Sequence, residues 1–317
     1  MSAIRNVVLT LVLSCTALAG CTQAPDLTAV QSERAKPVQR YDVAQAAASN
    51  GTVAVAGTQS GVVLLSRDEG KTWNRLALGA VSIIGLAVCP DGSFVGIDFN
   101  HKVWSANGQG ANWKSVALDK PRTPLAVTCD AQGRWWVAGS GTKIAGSADH
   151  GATWQVGALD GDAQLTTLQF VDDHFAVALG EFGLVVTSVD GGATWQKGAK
   201  IPNDFYPYAA LFVDAKVGYA SGLAGQILKT QDGGKTWSKI DNQTNAALFR
   251  LFLHDGRPYG VGAGGVVARL DGDAFRTMPY PDAVPVPLGA AAALPNQNAV
   301  AIGGPGGLIR VIGTQVN

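Results

Sequence analysis

One string of residues recurs along this 317-residue chain at a nearly constant interval, and that interval limits what the chain can become. Ser66-Arg67-Asp68-Glu69-Gly70-Lys71-Thr72-Trp73 returns as Ser147 to Trp154, as Ser188 to Trp195 and as Thr230 to Trp237. A worn copy runs from Ser105 to Trp113, and a weaker one surrounds Asp271 and Phe275. The aromatic positions 73, 113, 154, 195, 237 and 275 are separated by 40, 41, 41, 42 and 38 residues. The apolar segment before each copy repeats too. GVVLLS, HKVWSA, TKIAGS, GLVVTS, GQILKT, GVVARL and GLIRVI end at 66, 106, 147, 188, 230, 270 and 312. These are seven units with a mean step of 41, and a period of that length marks one supersecondary unit that buries its apolar face only against neighbours.

Within a unit the pattern is short, alternating and punctuated by glycine, as strands joined by hairpins should be. In the fifth unit the spacing predicts strands over 208–213, 217–222, 226–230 and 235–240. Four strands in about 41 residues is the size of one β-propeller blade, with a solenoid of stacked repeats as the competing architecture. The expected fold is therefore all-β, a seven-bladed β-propeller of four-stranded blades. Glycine fits this reading, since 40 of 317 residues is nearly double the ~7% of average usage. The seventh unit ends at Asn317 with no box and no fourth strand. The stretch between Leu27 and Tyr41 is expected to supply that missing outer strand and close the ring, removing exposed edges.

The repeated string S-x-D-x-G-x-T-W is the Asp-box signature. It suits a hairpin turn in which the carboxylate accepts hydrogen bonds from turn amides, glycine supplies a positive φ, and Trp packs between blades. Copies placed one per blade are too far apart to act together in catalysis. Asp68, Trp73, Asp149, Trp154, Asp190, Trp195, Asp232 and Trp237 are accordingly expected to be framework.

The N-terminus reads as an address. Arg5 precedes an apolar stretch from Val7 to Ala19, too short for a membrane span and suited to a signal-peptide core. It ends in Leu18-Ala19-Gly20-Cys21, which resembles the lipobox of bacterial lipoproteins; the resemblance implies cleavage after residue 20 and acylation of Cys21. Thr22 rather than Asp follows the cysteine, which favours the outer membrane, facing the periplasm. The expected organisation is a signal peptide over 1–20, an acylated Cys and flexible polar tether over 21–36, and the propeller over 37–317.

Units such as VGYASGLAGQILKTQDGGKTW and FAVALGEFGLVVTSVDGGATW look most like the photosystem II assembly/stability-factor-like family of Asp-box propellers. The resemblance covers about residues 42–312 and is strongest in units four and five. It implies a seven-bladed, non-enzymatic factor that helps assemble membrane complexes. It further implies an envelope lipoprotein whose partner is a membrane protein or complex, with an RND-type transport system as candidate, and a monomeric propeller. A basic patch on one face is associated with the family, but no motif here maps it residue by residue.

Other chemistry is thinly represented. Twenty-four basic against 24 acidic residues give zero net charge, without the footprint of a nucleic-acid binder. The four histidines fall in separate units with no metal-ligand spacing, and no phosphate or dinucleotide fingerprint occurs in a strand–helix context, so no cofactor, metal or catalytic residue is expected. The alternative is a periplasmic glycan-binding or glycoside-hydrolase-like propeller. Of three glutamates only Glu181 could reach a pocket, with Asp162, Asp204 or Asp241 as the second carboxylate that glycosidases require. The Arg-(Ile/Leu)-Pro motif of sialidases is missing.

Cys89 and Cys129 end the first strands of consecutive units, and they could be bridged in an oxidising periplasm or buried as two free thiols. The loops joining blades share a face with the hairpins between second and third strands, and the longest reads Ile201-Pro202-Asn203-Asp204-Phe205-Tyr206-Pro207-Tyr208. Phe205, Tyr206 and Tyr208 are candidate partner-binding residues; alternatively they fold back as a lid over the central channel. Lys120, Arg122 and Glu181 are expected on the rim of that face, and Arg250 on an inner strand lining the channel.

Overall fold

The computed structural model describes residues 25–314 except 158 and 295, so the lipobox, Cys21 and the signal peptide lie outside the described residues. Among the described residues, 25–36 belong to a different compact unit from Pro37 onward. Within it, Thr28–Ala35 is an α-helix with no buried residue. Asp26 opens it by accepting the Thr28 amide at 2.9 Å and hydroxyl at 2.6 Å. No helix among the described residues is long and apolar enough to cross a membrane.

The expected closing strand between Leu27 and Tyr41 is not formed. Its residues, TAVQSERA, are mostly good helix formers without the alternating apolar positions a strand needs to bury a face. The seventh sheet consequently has three strands among the described residues rather than four.

From Ala44 onward the chain folds as consecutive antiparallel meanders. Six have four strands and the last has three, all among the described residues. Their first strands are Ala44–Ser49, Ile83–Val88, Pro124–Cys129, Gln169–Phe170, Pro207–Phe212, Leu248–His254 and Ala290–Leu294. These first strands are only half-buried, whereas second strands such as Trp135–Gly139, Ala176–Gly180 and Ala299–Gly303 are buried throughout. Fourth strands such as Gln155–Val156 and Gln196–Lys197 are exposed. That gradient explains why the middle strands read as continuous apolar runs: neighbouring sheets cover both of their faces.

The core is correspondingly a series of clusters between successive sheets. Leu65 and Val63 of sheet 1 pack on Phe94 and Trp104 of sheet 2. Val95 and Ile97 meet Trp135 and Val137 of sheet 3. The pattern continues through Trp136 against Val186, Phe175 against Phe212, Tyr219 against Phe275, and Val261 against Val300. A last cluster joins Leu294, Ala299 and Ala301 of sheet 7 to Ala54 and Trp73 of sheet 1. At this seam Ala44 donates its amide to Gly304 at 3.1 Å, as Leu165 donates to Gly139 and Leu288 to Gly262 at earlier junctions. Sheets 5 and 6 are additionally joined through their fourth strands, which pair in parallel at Asp241–Ala274 and Asn242–Phe275.

The Asp-boxes are alike in detail. Ser66 Oγ donates to Asp68 Oδ1 (2.9 Å) and accepts the Gly70 amide (2.7 Å), while Asp68 accepts the Thr72 amide at 2.8 Å and the Thr72 hydroxyl at 2.5 Å. Asp149, Asp190 and Asp232 repeat these bonds with Thr153, Thr194 and Thr236. Trp73, Trp154, Trp195 and Trp237 each pack against an inter-sheet cluster. The box glycines touch the sheet before: a Cβ on Gly70 would lie 2.2 Å from Val311, on Gly110 2.3 Å from Leu65, on Gly151 2.5 Å from Val116, and on Gly192 2.6 Å from Trp136. All four have positive φ.

Cys89 and Cys129 are joined in a disulfide between sheets 2 and 3, with Cα atoms 5.1 Å apart. Closing a loop across a sequence separation of 40 contributes about 4 kcal/mol in the chain-entropy treatment.

Two consequences are measurable. Gly151 (φ +86°) needs both its left-handed backbone and its missing side chain, whereas Gly133 (φ +79°) faces open space. Chemical denaturation should show Gly133→Ala costing about 1 kcal/mol and Gly151→Ala about 2–4 kcal/mol. Hydrogen bonds from the box threonines hold Asp68, Asp149, Asp190 and Asp232 at about 2, against 3.8 in the free side chain. Because the folded value is the lower one, this stabilisation is complete above about pH 4 and is lost as pH falls through 2. The thermal midpoint of the native chain should fall over that window, and a variant with all four aspartates changed to Asn should fall less steeply there.

Candidate partner-binding face

In each meander the turn between second and third strands and the segment leading to the next sheet lie at one end, and the Asp-box turn lies at the other. At the box end the contacts are mutual. Asn50 donates to the carbonyls of Gly92 and Gly108, both at 2.8 Å, and Arg134 reaches Gly191 O at 2.7 Å while pairing with Asp130. The opposite end carries the unequal loops, and there the candidate residues fall.

The aromatic loop is split by its packing. Phe205, expected on the surface, is only 4% exposed and sits among Leu179, Val185, Ile201 and Ala220. The cause is Gly222: a Cβ there would lie 2.6 Å from the Phe205 ring, so the absent side chain leaves the slot the ring fills. The Phe205 carbonyl also accepts the Gly183 amide at 2.8 Å. Tyr206 and Tyr208 remain half-buried in an edge-to-face pair with centroids 6.0 Å apart, and Tyr208 continues edge-on to Phe249 at 5.4 Å. Tyr208 also lines the central cavity, as does Arg250. Burial, and after it the nearby Glu181 charge, push the Tyr206 hydroxyl above its usual value.

Glu181 is half-buried, and its Oε2 accepts the Gln164 amide at 2.9 Å. That bond holds the loop entering sheet 4 against the hairpin at 181–183. Asp162, Asp204 and Asp241 are exposed. Lys120 and Arg122 are exposed in the segment joining sheets 2 and 3, and among the described residues neither forms an ion pair. No group of three or more His, Cys, Asp or Glu among the described residues could hold a metal.

The structure adds three residues to this end. Phe99, Phe182 and Leu223, at the tips of the hairpins in sheets 2, 4 and 5, are 63%, 56% and 53% exposed. Phe182 stands out because its φ is +59°, at a turn position where sheets 3 and 6 place Gly141 and Gly264. A bulky residue in the left-handed region is strained, and nothing in its burial repays that strain. A signal was available in the sequence. Asp98-Phe99-Asn100, Glu181-Phe182-Gly183 and Leu223-Ala224-Gly225 each put a large apolar residue in a tight turn, where polar residues or glycine are the rule.

Residues 152–270 match the family model of the photosynthesis system II assembly factor YCF48. Over those residues the chain resembles that family. Among solved structures, YCF48 from Cyanidioschyzon merolae superposes with a TM-score of 0.71 at 17% identity, covering 87% of this chain and 97% of that one. YCF48 bound to D1 peptide gives 0.71 at 13% identity, with 88% and 94% covered. A catalytically inactive virginiamycin B lyase from Staphylococcus aureus, with quinupristin, gives 0.74 at 13%, with 86% and 96% covered. At such identities these likenesses concern the fold, which hosts an assembly factor in one case and an enzyme in another. No curated protein matches the chain by sequence.

The strain at Phe182 makes a direct prediction. Phe182→Gly relieves the left-handed cost of about 1–2 kcal/mol and pays part of it back in backbone entropy. Denaturant titration should find the variant about 0.5–1 kcal/mol more stable than the native chain.

Proposed function

We propose that this chain is a membrane-anchored periplasmic scaffold that binds a membrane protein and assists the assembly or stability of an envelope complex. In this reading the signal peptide is removed, Cys21 is acylated, and a seven-bladed propeller is held at the outer membrane. An RND-type transport system is the candidate partner, and no catalytic step is involved. The observation that carries the reading is the exposed, strained Phe182 flanked on the same end by Phe99 and Leu223. Large apolar residues held in water at a conformational cost are retained where something covers them. Two comparisons support the reading: the repeats are of YCF48 type, and a YCF48 structure was obtained bound to D1 peptide.

The test places a photo-crosslinking residue at position 182, or at Val189 in the Asp-box turn on the opposite end, in native membranes. Crosslinks from 182 to an integral membrane protein, absent from 189, are expected. Changing both Phe182 and Leu223 to Asp should reduce co-purification of that protein about tenfold or more. Equal labelling from the two ends, or capture unaffected by the double substitution, would overturn the proposal.

A further inference from the structure

The first strands enclose a cavity of about 300 Å³ on the axis, and its lining is uneven. Sheets 1 and 7 contribute Ala46, Ala47 and Ala291, from strands that read AQAAAS and AAAAL. The other sheets mix small residues, Gly85, Ala126, Ala209 and Ala210, with larger ones, among them Leu86, Leu125 and Leu251. Across the side of sheets 7 and 1, Arg250 of sheet 6 reaches over to sheet 1. Its Nη2 donates to Gln45 O at 2.9 Å and its Nη1 to Phe249 O at 3.3 Å.

Arg250 is the one charged residue lining this cavity, and among the described residues no carboxylate pairs with it. Two carbonyls occupy two of its five donors, leaving a guanidinium fork without a counter-ion. Burial lowers its pKa, the sign that its charge is held at a cost. Of the other polar lining side chains, Thr166 donates to Pro207 O and Thr167 accepts the Leu179 amide, so both are engaged. Tyr208 brings a hydroxyl that bonds no protein group among the described residues.

We propose that the axial cavity binds a small monocarboxylate, with its carboxylate on the Arg250 fork and its hydrocarbon part against the alanine and leucine walls. A guanidinium matches a carboxylate bidentately, and one positive charge balances one negative. A phosphate dianion would bring more charge and more hydrated oxygens than this lining can satisfy. The site is on the axis, distinct from the hairpin tips, and does not depend on the docking reading above.

Hexanoate and 1-hexanol, of equal chain length, provide the test on the full-length chain in detergent. Calorimetric titration should show hexanoate binding at least tenfold more tightly than hexanol, and hexanoate should raise the thermal midpoint. Arg250→Gln should abolish that preference while leaving a cooperative unfolding transition. Equal binding of acid and alcohol, or no hexanoate binding at about 10 mM, well above the ~1 mM constant of weak specific binding, would sink the idea. A peptide ending in a free carboxylate, run against its amide, tests the other source of the same group. Tighter binding of the peptide acid than of hexanoate overturns the small-acid assignment.

Discussion

How closely one sheet may approach the next is the constraint on which the whole molecule rests, and the box glycines set it. Each Asp-box carboxylate ties its turn into a compact loop; at Gly70, Gly151 and Gly192 the glycine lies against the preceding sheet with no room for a methyl group, and at Gly234 it stands in ordinary contact, 3.4 Å from Val185. The neighbouring Trp then fills the wedge that opens outward between the two sheets. Repeating one contact at one spacing keeps the angle between successive sheets constant, so curvature accumulates until the last sheet meets the first. At that meeting Gly70 rests on Val311 as Gly151 rests on Val116. The ring therefore closes with the same contact that builds it.

That economy explains what could and could not be seen in the sequence. The period, the strand pattern and the framework role of Asp68, Asp149, Asp190 and Asp232 were legible because each is written several times over. The closing strand between residues 27 and 41 was inferred from the need to cover an edge, and a helix stands at 28–35 instead. The seam does without that strand, being made by side-by-side packing of Ala54, Trp73 and Leu294 and by the Ala44–Gly304 bond. Phe205 was misplaced for a similar reason: its slot is created by a missing side chain seventeen positions along, at Gly222, and absences carry little signal in a string. Tyr208 and Arg250 do line the axis, the place an inner strand dictates. Phe99, Phe182 and Leu223 are single apolar residues in short turns, a fainter mark in the sequence than an aromatic-rich loop.

The two ends of the molecule divide their labour along these lines. Box turns are interlocked by Asn50, Arg134 and the threonine–aspartate bonds, which leaves them little freedom to vary. Loops at the other end are held by bonds such as Gln164 to Glu181 and Gly183 to Phe205, yet several tips carry side chains the fold does not use, Phe99, Phe182 and Leu223 among them. Side chains at such tips can vary without disturbing the sheets beneath them. The same architecture is shared by an assembly factor and a lyase.

The parallel pairing between the outer strands of sheets 5 and 6 has a mechanical meaning. A backbone ladder there, at Asp241–Ala274 and Asn242–Phe275, resists any motion that would splay those two sheets apart. The seam between sheets 7 and 1 is closed by side chains instead, with Ala54, Leu294, Ala299 and Ala301 in one cluster and Val62, Leu64, Trp73 and Ile309 in another. Parting sheets 7 and 1 disrupts that packing and a few backbone bonds such as Ala44 to Gly304, whereas parting sheets 5 and 6 must break a ladder as well, so the circle is stiffest at one joint that its repeats do not explain.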